Sequence, residues 1–64
     1  MEKLRIMYSS RKYGLHKNDE FNVLRTINGD CVLLMPEDKP NIIITEQEAM
    51  TYGYLTGKPQ IGGV

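Results

Sequence analysis

Residues 21–35, FNVLRTINGDCVLLM, decide the fold of this 64-residue chain. Two apolar runs flank Asn28-Gly29, a dipeptide typical of tight β-hairpin turns because both positions accept positive φ. A two-residue loop at this dipeptide fixes how the strands pair. The predicted cross-strand pairs are Thr26 with Cys31, Leu24 with Leu33, and Val23 with Leu34.

In that register both faces of the hairpin are substantially apolar. One face is predicted to carry Phe21, Val23, Val32 and Leu34, and the other Leu24, Cys31, Leu33 and Met35. A three-residue loop through Asp30 would shift the register by one residue and reshuffle the faces. A strand pair that is apolar on both faces is either enclosed by a curled sheet or presents one face to a partner.

The residues before the hairpin predict a strand and a long loop. Leu4, Ile6 and Tyr8 alternate with Lys3, Arg5 and Met7, a period of two that is typical of a half-buried strand. The polar stretch 9–17 predicts a loop, into which Leu15 is expected to tuck as an anchor. Asn18-Asp19 predicts a turn that leads into the hairpin.

The residues after the hairpin predict a strand and a short helix. Residues 36–40 form a loop bounded by prolines, and the β-branched run 42–44 suits a buried strand. Thr45 and Glu48 have the spacing of a capping box, which predicts a helix over about residues 46–55 that ends at Gly57. Its candidate buried residues are Ala49, Met50, Gly53 and Tyr54.

The order of these elements favours a mainly β fold, a small barrel or strongly curled antiparallel sheet with one short helix near residues 46–55. Tyr8, the polar loop, residues 15–24, a tight turn and residues 32–34 together resemble the Src-homology-three-like barrel. The resemblance covers roughly residues 4–50 and implies a fold only. The chain has no tryptophan, and Asn18 stands where that family usually has glycine, so no binding residue is carried over.

Length and composition indicate a single small domain. We expect residues 1–57 to form it and residues 58–64 to be a flexible C-terminal tail. One cysteine excludes an internal disulfide, and no apolar run approaches the ~20 residues that cross a bilayer. The N-terminal residues also lack the apolar core of a signal peptide, and a cytoplasmic location is therefore expected.

The search for reactive or metal-binding chemistry predicts a protein that is not an enzyme. Cys31, His16 and Asp19 supply the residue types of a nucleophilic triad, but residue types alone are weak grounds without geometry. One cysteine and one histidine do not make a usual zinc site, and the carboxylates do not have the spacing of a calcium loop. No cofactor or metal is expected.

One loop has recognisable contact chemistry, since it mixes cations, hydroxyls and aromatic rings. The candidate binding residues are Arg11, Lys12, Tyr13, His16 and Lys17. Such a loop could hold an acidic protein surface, or hold phosphates while Tyr13 stacks on a base. Zero net charge argues against indiscriminate polyanion binding, although residues 1–25 hold six basic against three acidic groups and residues 26–64 two against five.

These observations predict a small intracellular binding protein, a protein–protein inhibitor or adaptor of the phage or mobile-element type. The partner is expected to be another protein and not a membrane. One alternative is a small β-barrel that binds nucleic acid through the basic-aromatic loop. Another is a homo-oligomer that pairs through the hairpin face.

Overall fold

One antiparallel sheet organises the protein, of which the computed structural model describes residues 1–62. In chain order the elements are β1 (Glu2–Ile6), β2 (Glu20–Arg25), β3 (Cys31–Leu33), β4 (Ile42–Ile44), α1 (Glu46–Tyr52) and β5 (Gly53–Thr56). Across the sheet the strand order is β4-β3-β2-β1-β5, and all neighbours are antiparallel. The predicted mainly β fold with one short helix is confirmed. Within residues 1–62 no helix has the length and apolarity to cross a membrane.

The hairpin of β2 and β3 forms, but the predicted register was wrong by one residue. Arg25, and not Thr26, lies opposite Cys31, and Val23 lies opposite Leu33. This register buries Cys31 and Leu33 together with Val23, each at 0% exposure. Because side chains alternate along a strand, a shift of one residue would have moved one strand's buried side chains to the opposite face.

The loop explains the shift, because it has three residues, 27–29, in place of two. The Thr26 N–H donates to the Asp30 carbonyl, and the Gly29 N–H donates to the Thr26 carbonyl, both at 2.9 Å. Gly29, and not Asn28, takes a positive φ, 88°. This is the type I turn followed by a left-handed residue that closes three-residue hairpins. The Thr26 hydroxyl also accepts a hydrogen bond from the Asp30 N–H at 3.0 Å, which the two-residue loop does not offer.

The predicted face assignments were therefore wrong between strands, although the two-sided apolar character is confirmed. The inner face joins Phe21 and Val23 of β2 to Cys31 and Leu33 of β3, whereas the outer face joins Leu24 to Val32 and Leu34. The buried hydrophobic core comprises Leu4, Ile6, Leu15, Val23, Cys31, Leu33, Ile44 and Ala49. Leu15 anchors the long loop in this core, as predicted.

The helix begins where the sequence predicts and ends earlier. Thr45 caps it, since its hydroxyl accepts from the Glu48 N–H at 3.0 Å while the Glu48 carboxylate accepts from the Thr45 N–H. It ends at Tyr52, because Gly53 starts β5 and pairs with Ile6 of β1. Ala49 is buried as predicted, but Met50 is 64% exposed.

The chain beyond β5 returns to the sheet. The Gln60 carbonyl accepts from the Arg25 N–H at 2.7 Å, and the Gly62 N–H donates to the Arg25 carbonyl at 2.8 Å. Ile61 thereby forms a parallel bridge with Arg25, beyond the point where β1 stops pairing with β2. The predicted flexible tail 58–64 includes residues 63 and 64, which lie outside the described residues, and its flexibility stays a prediction.

Candidate functional site

The outer face of the sheet carries an apolar groove of about 490 Å³, which we call the outer-face groove. Its lining comprises Leu24, Arg25, Thr26, Ile27, Val32, Leu34, Asn41, Ile43 and Gly62. Among these residues Arg25 alone is charged, and its guanidinium is held by Glu2 and Glu46. The groove therefore offers shape and apolar contact, and no titratable group directed at a ligand.

Three structural features assemble the groove. The strands β2, β3 and β4 contribute Leu24, Val32 and Ile43, which lie side by side because Val32 is opposite both of the others. The three-residue hairpin loop adds Ile27, and the returning chain adds Gly62. A Cβ on Gly62 would lie 3.4 Å from the Cβ of Leu24, so the chain approaches the sheet closely here.

Large aliphatic side chains in the groove are open to solvent. Ile27 is 81% exposed and Ile43 is 60% exposed. Single exposed apolar residues are ordinary on protein surfaces, whereas exposed apolar residues that line one groove make that groove a candidate interaction site.

A buried ion-pair network fixes the strand that forms the groove floor. On the inner face, Arg25 Nε and Nη2 donate to the two carboxylate oxygens of Glu2 at 2.7 and 3.0 Å, a bidentate arrangement. Arg25 Nη1 donates to the Gly29 carbonyl and to Glu46 Oε2, both at 2.8 Å. Hydrogen bonding with Glu2 raises the pKa of Arg25 above its ordinary range. The network ties β1, the hairpin loop and α1 together.

The sequence analysis did not identify this network. Glu2 and Arg25 are 23 residues apart, and nothing local marks either as a partner of the other. The available signal was periodicity: Glu2 falls on the same alternate positions as the buried Leu4 and Ile6. A charged residue on the buried face of a strand requires a partner.

The predicted binding loop, residues 9–17, is ordered by a short antiparallel bridge. Ser10 and Leu15 exchange two backbone hydrogen bonds of 2.9 Å across the tip, where Gly14 has a φ of 68°. Arg11 and His16 line a shallow depression of about 420 Å³ with the serines of this loop. The Lys17 N–H donates to Ser9 Oγ at 3.1 Å, and Lys17 is exposed to solvent.

Lys12 and Tyr13, the other two predicted binding residues, are directed at helix α1. The Tyr13 hydroxyl donates to Glu48 Oε2 at 2.6 Å, and the Tyr13 ring meets Tyr52 edge-on at a centroid distance of 6.2 Å. Lys12 Nζ lies 5.1 Å from the Tyr13 ring centroid and 3.8 Å from Glu48 Oε2. The hydrogen bond with Glu48 raises the pKa of Tyr13 and lowers that of Glu48.

The five predicted binding residues do not share one site, and Lys17 is exposed outside the depression. Arg11 and His16 share the depression, whereas Lys12 and Tyr13 make contacts within the protein. With one edge facing Tyr52 and a cation over its face, the Tyr13 ring is not presented as a stacking platform for a base.

Cys31 and His16, two of the residues considered for catalysis, lie in different environments. Cys31 is fully buried, and burial raises the pKa of its thiol, the opposite of what activates a cysteine nucleophile. His16 is exposed on the loop, where its backbone N–H donates to Asp19 Oδ2 at 3.2 Å. Among residues 1–62 no three histidine, cysteine or carboxylate side chains lie together as a metal site would require.

Comparison of the chain with protein-family models, with curated proteins and with solved structures finds no match. The resemblance to the Src-homology-three-like barrel therefore stays a prediction.

Proposed function

We propose that this protein is a non-enzymatic binding module, an inhibitor or adaptor that holds an apolar segment of another protein in its outer-face groove. The observation that carries the proposal is the position of the groove. It lies on the side of the sheet that faces away from the core, so the fold leaves the aliphatic side chains of Ile27 and Ile43 exposed to a partner.

The energetics favour a reversible contact. Burial of a large aliphatic side chain contributes roughly 1.5–3 kcal/mol, and two exposed isoleucines of the groove lining, Ile27 and Ile43, are available. Association costs an estimated 4–15 kcal/mol before any net affinity remains, so these anchors alone support weak binding. A partner that also contacts the polar rim, Thr26 and Asn41, gains specificity more than affinity.

A second candidate, nucleic-acid binding through the basic loop, is less well supported. Tyr13 is engaged by Glu48 and Tyr52, and Lys12 is paired with Glu48. Arg11, His16 and Lys17 remain exposed, so a weak electrostatic contact is still worth testing.

A capture experiment with matched variants tests the proposal. The intact protein is used as bait in a lysate of its natural host, beside Ile43→Lys in the groove and Met50→Lys on the helix. Both residues are more than half exposed, so neither change disturbs the core. The proposal expects a protein that Ile43→Lys loses and Met50→Lys retains, with the same ranking when that protein is purified and titrated.

A parallel titration tests the alternative. Single-stranded and duplex DNA are titrated at low salt against the intact protein and against Arg11→Ala/Lys17→Ala. Binding that weakens steeply with salt and is lost in the double variant would favour nucleic acid. Capture that is equal for Ile43→Lys and the unchanged protein contradicts the groove as the site.

A further inference from the structure

We infer that the partner segment binds as an extended strand, added antiparallel to the free edge of β4, with alternate side chains in the outer-face groove. This inference rests on the proposed function and specifies the conformation of the partner. It follows from the ladder pattern of the sheet, the charge distribution along its two edges and the area available.

The ladder leaves the backbone of Ile43 free. The Leu34 N–H donates to the carbonyl of Asn22, the residue opposite it in β2, so this pair is hydrogen bonded. In antiparallel strands the bonded positions alternate, and hence Val32 also bonds towards β2, while residues 31 and 33 bond towards β4. Ile42 and Ile44 receive those bonds, since they lie opposite Leu33 and Cys31. The Ile43 N–H and carbonyl therefore point to the open edge.

This free edge borders the groove directly. Ile43 belongs to the groove lining, and β4 is the terminal strand of the sheet within residues 1–62. A strand paired with Ile43 would place the side chain opposite it on the same face as the Ile43 side chain, over the groove. Main-chain hydrogen bonds and apolar contact would then come from one ligand, as in recognition by strand addition.

The opposite edge of the sheet is less suited to an apolar segment. At this edge β5 pairs with β1, which carries Lys3 and Arg5 on the outer face. Lys3 Nζ lies 3.8 Å and Arg5 Nη1 lies 4.0 Å from the carboxylate of Glu20. On the β4 side the outer face is uncharged, and Ile42–Ile44 contains none of the charges or prolines that protect edge strands from pairing. The two edges thus favour different partners, and the β4 edge favours a strand whose groove-facing side chains are apolar.

The available area favours a segment of another protein over a second copy of this chain. The whole accessible surface is 4614 Å², and a stable interface takes about 800 Å² from each partner, about a sixth of that surface. The edge strand offers three residues, Ile42–Ile44, about 10 Å of chain at ~3.4 Å per residue, which matches a short segment of a partner. A groove of about 490 Å³ is within the ~300–1,000 Å³ range of sites that enclose a small ligand or a few side chains.

The first test uses a synthetic peptide in which valine alternates with lysine and glutamate, and measures amide exchange by NMR. At a peptide concentration of about ten times Kd, exchange at the Ile43 amide is expected to slow about tenfold. The amide of Leu55, which points to the open edge of β5 because Tyr54 and Thr56 hold the bonded positions opposite β1, serves as the internal control and should not change. Unchanged exchange at Ile43 at millimolar peptide overturns the inference.

The position of N-methyl groups on the peptide separates strand addition from simple apolar contact. In antiparallel pairing the valine N–H groups face Ile43, and the N–H groups of the charged residues point away. Methylation of the valines should abolish the protection, whereas methylation of the charged residues should leave it. Equal effects of the two patterns, or the reverse pattern, overturn the proposed pairing.

A pair of protein variants tests the same point from the other side. Ile43→Pro removes the outward N–H, which the sheet does not use, and Ile43→Ala shortens the side chain but keeps that N–H. We expect Ile43→Pro to lose at least tenfold more peptide affinity than Ile43→Ala. Equal losses would overturn strand addition while leaving binding by the groove intact. Sedimentation that shows a dimer with a protected Ile43 amide would assign the edge to a second copy and overturn the inference.

Discussion

Replacement of Glu2 by glutamine tests whether the ion pair beneath the hairpin is a buried interaction. The Glu2 side chain is 5% exposed and that of Arg25 is 11% exposed, whereas Glu46, which contacts the same guanidinium, is 57% exposed. Glu2→Gln keeps the size of the side chain and removes its charge. Glu46→Gln makes the same chemical change in solvent and is the matched control.

The expected magnitudes differ because the two carboxylates differ in burial. Removal of one partner from a buried ion pair typically costs about 3–5 kcal/mol, because the remaining charge is left without compensation in a dry site. Arg25 keeps Glu46 and the Gly29 carbonyl as partners, so we expect the lower end, about 3 kcal/mol, for Glu2→Gln. For Glu46→Gln we expect less than about 1 kcal/mol, the usual value of an exposed pair.

Urea unfolding followed by circular dichroism measures both values. A domain of this size has a total stability of only about 3–5 kcal/mol, so Glu2→Gln should retain about 0–2 kcal/mol and be between a few per cent and about half unfolded at 25 °C. The paired change Glu2→Leu/Arg25→Met should recover most of the loss, because an apolar pair has no desolvation cost. Equal losses for Glu2→Gln and Glu46→Gln would refute the assignment of a buried pair.

Three further predictions concern the helix, the strand that follows it and the long loop. Thr45→Ala removes the capping hydroxyl and should cost about 1 kcal/mol in urea unfolding, with Thr51→Ala, an exposed threonine within the helix, as control. Gly53→Ala places a Cβ against the Arg5 carbonyl oxygen and should cost at least about 1–3 kcal/mol; a variant as stable as the parent would contradict this close approach. The lowered pKa of Glu48 means that its contribution to stability is complete above its ordinary pKa of 4.5 and is lost as the pH falls through the lowered value. Tyr13→Phe removes the hydrogen bond from Tyr13 to Glu48, so the urea midpoint of this variant should fall less than that of the parent between neutral and acid pH. Parallel plots of midpoint against pH for the two proteins would count against this hydrogen bond.

Local pattern was sufficient to predict β1 to β4 and the start of the helix. The alternation around Leu4 and Ile6, the turn residues after Ile27, and the Thr45–Glu48 spacing depend on neighbours within a few residues, and each corresponds to an element of the structure. The end of the helix at Tyr52 was not predictable in this way. Residues 53–56 have no strong strand pattern of their own and are extended because β1 offers them an edge.

The candidate site shows the same division. The sequence indicated that the hairpin is apolar on both faces, which already implied a surface beyond the core. It did not indicate that Ile43 and Gly62 would join Leu24 and Val32 on that surface, because those contacts span distant parts of the chain. The basic loop was predicted to be a contact surface, but its Lys12 and Tyr13 side chains contact Glu48 of helix α1.

The amino-acid sequence by itself determined β1 to β4 and the start of the helix, because these depend on local periodicity, capping and backbone preferences. Tertiary structure alone decided that residues 53–56 form a strand, that Glu2 pairs with Arg25, and which apolar face of the hairpin is buried. The physical reason is that both hairpin faces are apolar, so local hydrophobicity does not rank them. The inner face of the hairpin is the buried one because β1 and β4 add Leu4, Ile6 and Ile44 to the same face of the sheet.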